Sequence, residues 1–232
     1  MSAVNAHDQT TPYGAREYYS WSAEPHFKWF DSAADEAAFL DSPSFLEGQW
    51  IRTGMWCCCA CIADTPVAVP VGKELVKNLK KGDAVLAGNL TSGGGGVSVS
   101  WSESHVGHAG ELHDKADIDP GDAKAVLINF GAGTNIIVSS YQLMMTTTGK
   151  LKQALRLSLG DQLLSKSGAP ITINEIKLGD FKGPRYHIGT DHKFENKVDG
   201  HLLSLNDIVI ADYVLQKHRT GLPGSVVEDT VA

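Results

Sequence analysis

The stretch "MWCCCACIADTPVAVPVG" at residues 55–72 holds all four cysteines of the chain, at Cys57, Cys58, Cys59 and Cys61. Thiols gathered at one point cannot staple distant parts of a fold, so a disulfide framework is excluded. They are reactive, metal-binding or simply buried. Directly after them, "TPVAVPV" opens a β-branched run of the kind that forms strands.

At 232 residues, with 42% hydrophobic and 20% charged residues, the composition is that of an ordinary globular chain. The net charge of −7 supplies no basic footprint, which argues against nucleic acid or an anionic membrane as a partner. No run of about 18 apolar residues is present, so no membrane-spanning helix is expected. The beginning, "MSAVNAHDQTTPYGARE", has neither the basic nor the apolar region of a secretory signal. The expectation is a cytoplasmic protein whose thiols stay reduced.

Outward from the cysteines the texture differs on the two sides. Residues 1–55 are rich in aromatics and contain "DSAADEAAFLDS", which reads as a short helix capped by Asp31 or Ser32. Beyond Thr65, short β-branched runs are cut by Gly, Asp and Asn: "DAVLAG", "GVSVSWS", "KAVLINF", "NIIVSS", "APITINEI" and "DIVIADYVLQ". Helical turns are expected only in "KELVKNL" and "KLKQALRL". The "SGGGG" at 92–96 reads as a hairpin connection, since no helix follows it to present amides to a phosphate. The end, "HRTGLPGSVVEDTVA", reads as an exposed tail.

One frame occurs twice. "NLKKGDAVLAG" at 78–88 and "RLSLGDQLLSKSG" at 156–168 share Leu-x-x-Gly-Asp-x-(Val/Leu)-Leu, with the two Gly-Asp pairs 78 residues apart. Asp83 and Asp161 can accept backbone amides within a turn, and Gly82 and Gly160 supply a conformation that other residues resist. The repeat implies a duplicated β fold.

The order of these blocks resembles the Hint domain shared by inteins, bacterial intein-like elements and hedgehog proteins. The blocks are a Cys followed by "IADTPV", a Gly-Asp turn, "IIVSS", a second Gly-Asp turn and "HLLSLNDIVIADY". They span about residues 56–216. The resemblance implies an all-β, pseudo-twofold Hint-like horseshoe at 56–217, preceded by an extension at 1–55 and followed by a tail at 218–232. It also implies that Cys61 is the nucleophile and that its thiol attacks the carbonyl of Ala60 to give a thioester. The family's Thr-x-x-His block falls on Ser139 and Gln142. A Ser can replace Thr, but a Gln cannot transfer a proton and can only hydrogen-bond, to an oxyanion or to the Ala60 carbonyl. The terminal His-Asn pair falls on Ala211 and Asp212, followed by Tyr213 rather than an acyl acceptor. No splicing and no cleavage at Asp212 are therefore expected.

His187 in "PRYHIGTD" and His201 in "HLLSLND" are the two histidines proposed to take over proton transfer. The plain alternatives are structural histidines and, for Cys61, a buried small hydrophobe. Cys57, Cys58 and Cys59 lack the two-residue gap that lets paired thiolates reach one zinc ion, so packing or redox protection is favoured over metal. His105, His108 and His113 lie close together in "SHVGHAGELHD", read as a Gly-rich loop without fixed ligand geometry. No metal site and no cofactor are expected. Two functions stay open. The first is cysteine-dependent autoprocessing or acyl transfer, with the protein's own N-terminal segment as partner. The second is a Hint-derived protein that does not cut itself and instead acts on a small molecule or only binds.

Overall fold

The computed structural model describes residues 16–20, 27–30, 33–43, 45, 50–55, 61–93, 96–112, 124–131, 134–139, 142–180, 185–218 and 222–228. The chain divides into two compact units, one of residues 1–57 with 115–123 and one of residues 58–114 and 124–232. In the smaller unit, strands β1 (Arg16–Ser20), β2 (Phe27–Phe30) and β3 (Trp50–Met55) form an antiparallel sheet in the order β2-β1-β3. Helix α1 (Ala33–Leu40) is the helix expected from "AADEAAFL"; its anticipated caps Asp31 and Ser32 lie outside the described residues. Phe39 is buried and meets Phe45 edge to face at 5.4 Å. The strands of this unit carry no alternation that the sequence made visible.

The larger unit is almost entirely antiparallel β. In its first half lie β4 (Cys61–Ile62), β5 (Pro66–Ala68), β6 (Lys73–Leu75), β7 (Ala84–Gly93), β8 (Gly96–Leu112), β9 (Lys124–Asn129) and β10 (Asn135–Ser139). In its second half lie β11 (Leu143–Met145), β12 (Leu151–Gln153), β13 (Gln162–Leu164), β14 (Pro170–Thr172), β15 (Glu175–Asp180), β16 (Arg185–Thr190), β17 (Leu202–Leu205) and β18 (Ile208–Ala211). A curled sheet runs β12-β11-β18-β17-β7-β8-β16-β4-β10-β9-β15, with β5 and β6 added beside β17. No helix among the described residues is long and apolar enough to cross a membrane.

The repeated sequence frame is a repeated structure. Hairpin β5–β6 leads into a 3-10 turn at Val76–Asn78, then Gly82-Asp83 and β7; hairpin β11–β12 leads into a 3-10 turn at Ala154–Arg156, then Gly160-Asp161 and β13. In the first copy Asp83 accepts the Lys80 amide at 2.8 Å, and the Gly82 amide donates to the Val106 carbonyl at 2.8 Å. In the second, Asp161 accepts the Ser158 amide at 2.9 Å, and the Gly160 amide donates to the Ile173 carbonyl at 3.1 Å. Both glycines sit at positive φ, +93° and +86°, where a Cβ is disfavoured. So the Asp closes the turn and the Gly permits it.

The hairpin β17–β18 is buried on both faces, which explains the near-continuous apolar run "LLSLNDIVIA". Successive strand side chains alternate in direction. Leu203, Leu205, Ile208 and Ile210 enter one core with Cys61, Val67 and Met144, while Leu202, Val209 and Ala211 enter a second with Leu143, Met145 and Leu151. Its two turn residues, Asn206 and Asp207, both have positive φ, +47° and +67°. That is the pattern of the type I′ turn, in which Asn and Asp are among the few tolerated residues.

Three expectations are corrected. "DIVIADYVLQ" is a strand only to Ala211; Asp212 then caps helix α2 (Tyr213–Lys217) by accepting the Leu215 amide at 2.7 Å. "SHVGHAGELHD" is no loop: its residues through Leu112 continue β8, whose first part pairs with β7 and whose second part pairs with β16. Its glycines serve close backbone approach, as at Gly107, where a Cβ would stand 2.7 Å from the Thr190 carbonyl oxygen. The tail is only partly exposed at 222–228. Leu222 and Val227 are buried in the second core, and Leu151 is bracketed by hydrogen bonds to the Val226 carbonyl and the Glu228 amide.

Because nothing lies within 4 Å of a Cβ built at Gly82 or Gly160, substitution there tests backbone conformation alone. Gly82→Ala and Gly160→Ala should each cost about 1–2 kcal/mol, read as lowered denaturant midpoints with unchanged slope. A cost confined to one of them would deny the equivalence of the two turns.

Candidate functional site

Cys61 is the first residue of β4, a two-residue strand clamped between β10 and β16, where Val138 and Tyr186 are its register partners. This central position buries the side chain to 3% exposure. Its Sγ donates to the Tyr186 carbonyl at 3.6 Å. Burial pushes the thiol pKa up to about 12, against weaker opposing hydrogen bonds from the Thr65 side chain and the Cys61 amide. The resting group is a neutral thiol. Cys57, Cys58, Cys59 and Ala60 lie outside the described residues.

A cavity of about 10 Å³, room for about one water molecule, opens against Cys61 and is also lined by Gln142, His187 and Ala211. The structure thus brings together three of the residues singled out from sequence. His187, on β16, is buried and its ring lies 4.5 Å from that of Tyr213. Opposite it on β8 stands Gly110, whose missing side chain makes room for the imidazole.

The side-chain nitrogen of Gln142 is committed. Its Nε2 donates to the Ala211 carbonyl at 3.0 Å and to the Leu143 carbonyl at 3.1 Å, which uses both amide hydrogens. Gln216 of α2 completes the clasp, its Oε1 accepting the Leu143 amide at 3.0 Å. The oxyanion-donor role anticipated for Gln142 therefore requires one of these bonds to break first. Ser139, at the end of β10, is buried, and its carbonyl accepts the Gln142 amide at 3.0 Å; its side chain is not among those lining the cavity.

His201 and Asp212 form a separate buried cluster. The Asp212 Oδ2 accepts from the Thr190 amide at 2.8 Å and the Thr190 hydroxyl at 3.0 Å, and meets His201 Nδ1 at 3.1 Å. Its Oδ1 caps α2. Both oxygens of this carboxylate thus have partners, and Asp212 anchors the start of α2 to β16. For His201, burial lowers the pKa, but the Asp212 carboxylate and the carbonyl of Lys193 more than reverse that, and the net shift is upward. Neither residue lines the Cys61 cavity.

Sequence reasoning missed Thr190, Gln216, Tyr213 and Gly110 as parts of these networks. None carries a local signal, because each acts only on residues brought to it by the sheet. Among the described residues, no three His, Cys, Asp or Glu side chains gather as metal ligands. His105 and His108 are exposed on β8, and His113 lies outside the described residues.

A raised folded-state pKa at His201 means that its pairing with Asp212 stabilises fully below 6.5, the ordinary histidine value, and that this contribution is lost as pH rises through the raised value. Asp212→Asn keeps a capping oxygen but removes the charge partner. The pH dependence of stability across that window should therefore flatten in Asp212→Asn, measured by denaturant unfolding at a series of pH values. An unchanged slope would show that His201 does not titrate there.

No family model matches the sequence, and no curated protein matches it. Solved structures do. The bacterial intein-like domain from Clostridium thermocellum superposes with a TM-score of 0.51 at 19% identity, covering 66% of this chain and 98% of that domain. The Ssp DnaB mini-intein variant M86 superposes with a TM-score of 0.50 at 14% identity, covering 68% of this chain and 97% of the mini-intein. Together with the repeated hairpin and Gly-Asp turns, these matches establish that the larger unit of this chain has the Hint fold of the inteins.

Proposed function

We propose that this chain performs thiol-dependent scission at the peptide bond between Ala60 and Cys61, without splicing. The observation that carries this reading is the cavity at the head of β4, which both Cys61 and His187 line. Cys61 Sγ attacks the Ala60 carbonyl carbon and forms a C–S bond. The C–N bond to Cys61 breaks, and the thiol proton passes by way of His187 to the departing nitrogen, which becomes the free α-amine of Cys61. Water or an added thiol then opens the thioester and frees residues 1–60.

The chemistry is slow by construction. With the thiol pKa at about 12, only about one molecule in 10⁵ carries a thiolate at neutral pH, so attack depends on general-base help from His187. The terminal block adds no acyl acceptor, because both Asp212 oxygens are engaged in holding α2, Thr190 and His201. The small-molecule alternative finds less support: a cavity of about 10 Å³ is far below the roughly 300 Å³ of an ordinary ligand pocket. The carbonyl the thiol meets is then one the chain itself supplies, and the N-terminal segment is the partner. A pure binding role is favoured only by the committed amide of Gln142.

Intact-mass measurement of the purified chain over days, with and without dithiothreitol or hydroxylamine, tests this. A fragment of residues 61–232 should accumulate faster with the nucleophile and disappear in Cys61→Ala, whereas Cys57→Ala, Cys58→Ala and Cys59→Ala retain most of it. Absence of the fragment in the native chain, or its persistence in Cys61→Ala, rejects the reading. Gln142→His installs a proton donor beside the cavity at the loss of two buried hydrogen bonds, each worth about 1 kcal/mol. It should speed release while lowering stability, as read by the same mass assay beside a denaturant titration.

A further inference from the structure

The Hint-fold reading leaves open what aims the imidazole of His187, since Gln142 cannot take its place. We propose that Gly110 and Tyr213 are positioning residues that seat the His187 ring against the Cys61 cavity, an inference that rests on the cleavage reading for its catalytic consequence. Gly110 is the cross-strand partner of His187 between β8 and β16. A Cβ at Gly110 would lie 2.5 Å from His187 Cε1 and 2.8 Å from Nε2, so the ring occupies the volume that any other residue's side chain needs. Tyr213, buried to 2% exposure, also packs on the imidazole, its ring tilted 32° to it at 4.5 Å.

Tyr213 is itself held from two directions. It is the first residue of α2, and the preceding Asp212 fixes that helix start through the Leu215 amide and ties it to Thr190 on β16. Gly189, also on β16, lets the helix come close: a Cβ there would stand 3.3 Å from Tyr213 Cβ and 3.0 Å from Val214 Cγ2. The Tyr213 ring also meets that of exposed His108 at 5.8 Å. So one glycine admits the imidazole, another admits the helix that carries the tyrosine, and the ring of His187 is fixed by backbone and aromatic face.

The test uses the full chain with selectively labelled histidine. The Tyr213 ring should shield the carbon-bound protons of His187, a signature that a merely space-filling residue does not produce. Tyr213→Phe should keep both that shielding and the dithiothreitol-dependent release of residues 1–60. Tyr213→Leu and Gly110→Ala should move the His187 resonances and slow release by on the order of 100-fold, the scale of an ångström misplacement of a reacting group. Folded Tyr213→Leu with unmoved His187 resonances overturns the proposal, and Gly110→Ala need not fold for that result to count. Moved resonances with undiminished release overturn it as well. If the native chain releases nothing, the cleavage reading falls, and the resonances alone decide whether Gly110 and Tyr213 seat the ring.

Discussion

The hairpin β17–β18 is the constraint on which the rest of the larger unit depends. Its strands are buried on both faces, and its edges pair with both copies of the repeat: Leu205 with Val67 of β5, and Ile210 with Met144 of β11. Each large aliphatic side chain it buries contributes about 1.5–3 kcal/mol, and a register slip of one residue exchanges its two faces. The type I′ turn at Asn206 and Asp207 fixes that register. The same hairpin ends in Ala211, whose carbonyl receives Gln142, and in Asp212, which starts the helix bearing Tyr213 and Gln216. Misplacing it would dismantle the cavity wall, the glutamine clasp and the helix cap together.

Two buried titratable groups respond oppositely to that environment. Among the described residues Cys61 has no charged partner, so desolvation dominates and the thiol stays neutral. His201 also suffers desolvation, but a carboxylate at 3.1 Å and a facing carbonyl outweigh it. Burial alone therefore says little about which protonation state wins; the partner decides. In chemical terms, the thiol is protected from casual oxidation and alkylation at the expense of nucleophilicity.

The expected and observed organisation differ where backbone demands are non-local. The strand run ending in "DYVLQ" turned to helix because Asp212 found the amide of Leu215, while its other oxygen was claimed by Thr190 from β16. The segment at 222–228 is tied down because Leu151 of β12 offers both an amide and a carbonyl to it, and Leu222 and Val227 are buried there. The Gly-rich segment after His105 became strand because β16 arrives opposite it and needs glycines for its own side chains, most clearly at His187 and Gly110.

By itself the sequence determined the β class, most strand positions of the larger unit, and the duplicated Gly-Asp turns. Those features are written in short-range patterns: alternation, positive-φ glycines and Asp side chains that reach amides three residues away. It also marked Cys61, Gln142 and His187, which the fold gathers around one cavity. Only the tertiary structure decided what those residues can do. Whether Gln142 is free to donate depends on carbonyls at 143 and 211; whether Asp212 can react depends on Thr190, His201 and Leu215; and where His187 points depends on Gly110 and Tyr213. Hydrogen bonds and van der Waals contacts act over a few ångströms, and all but the closest of these partners are far apart along the chain. No local pattern encodes them.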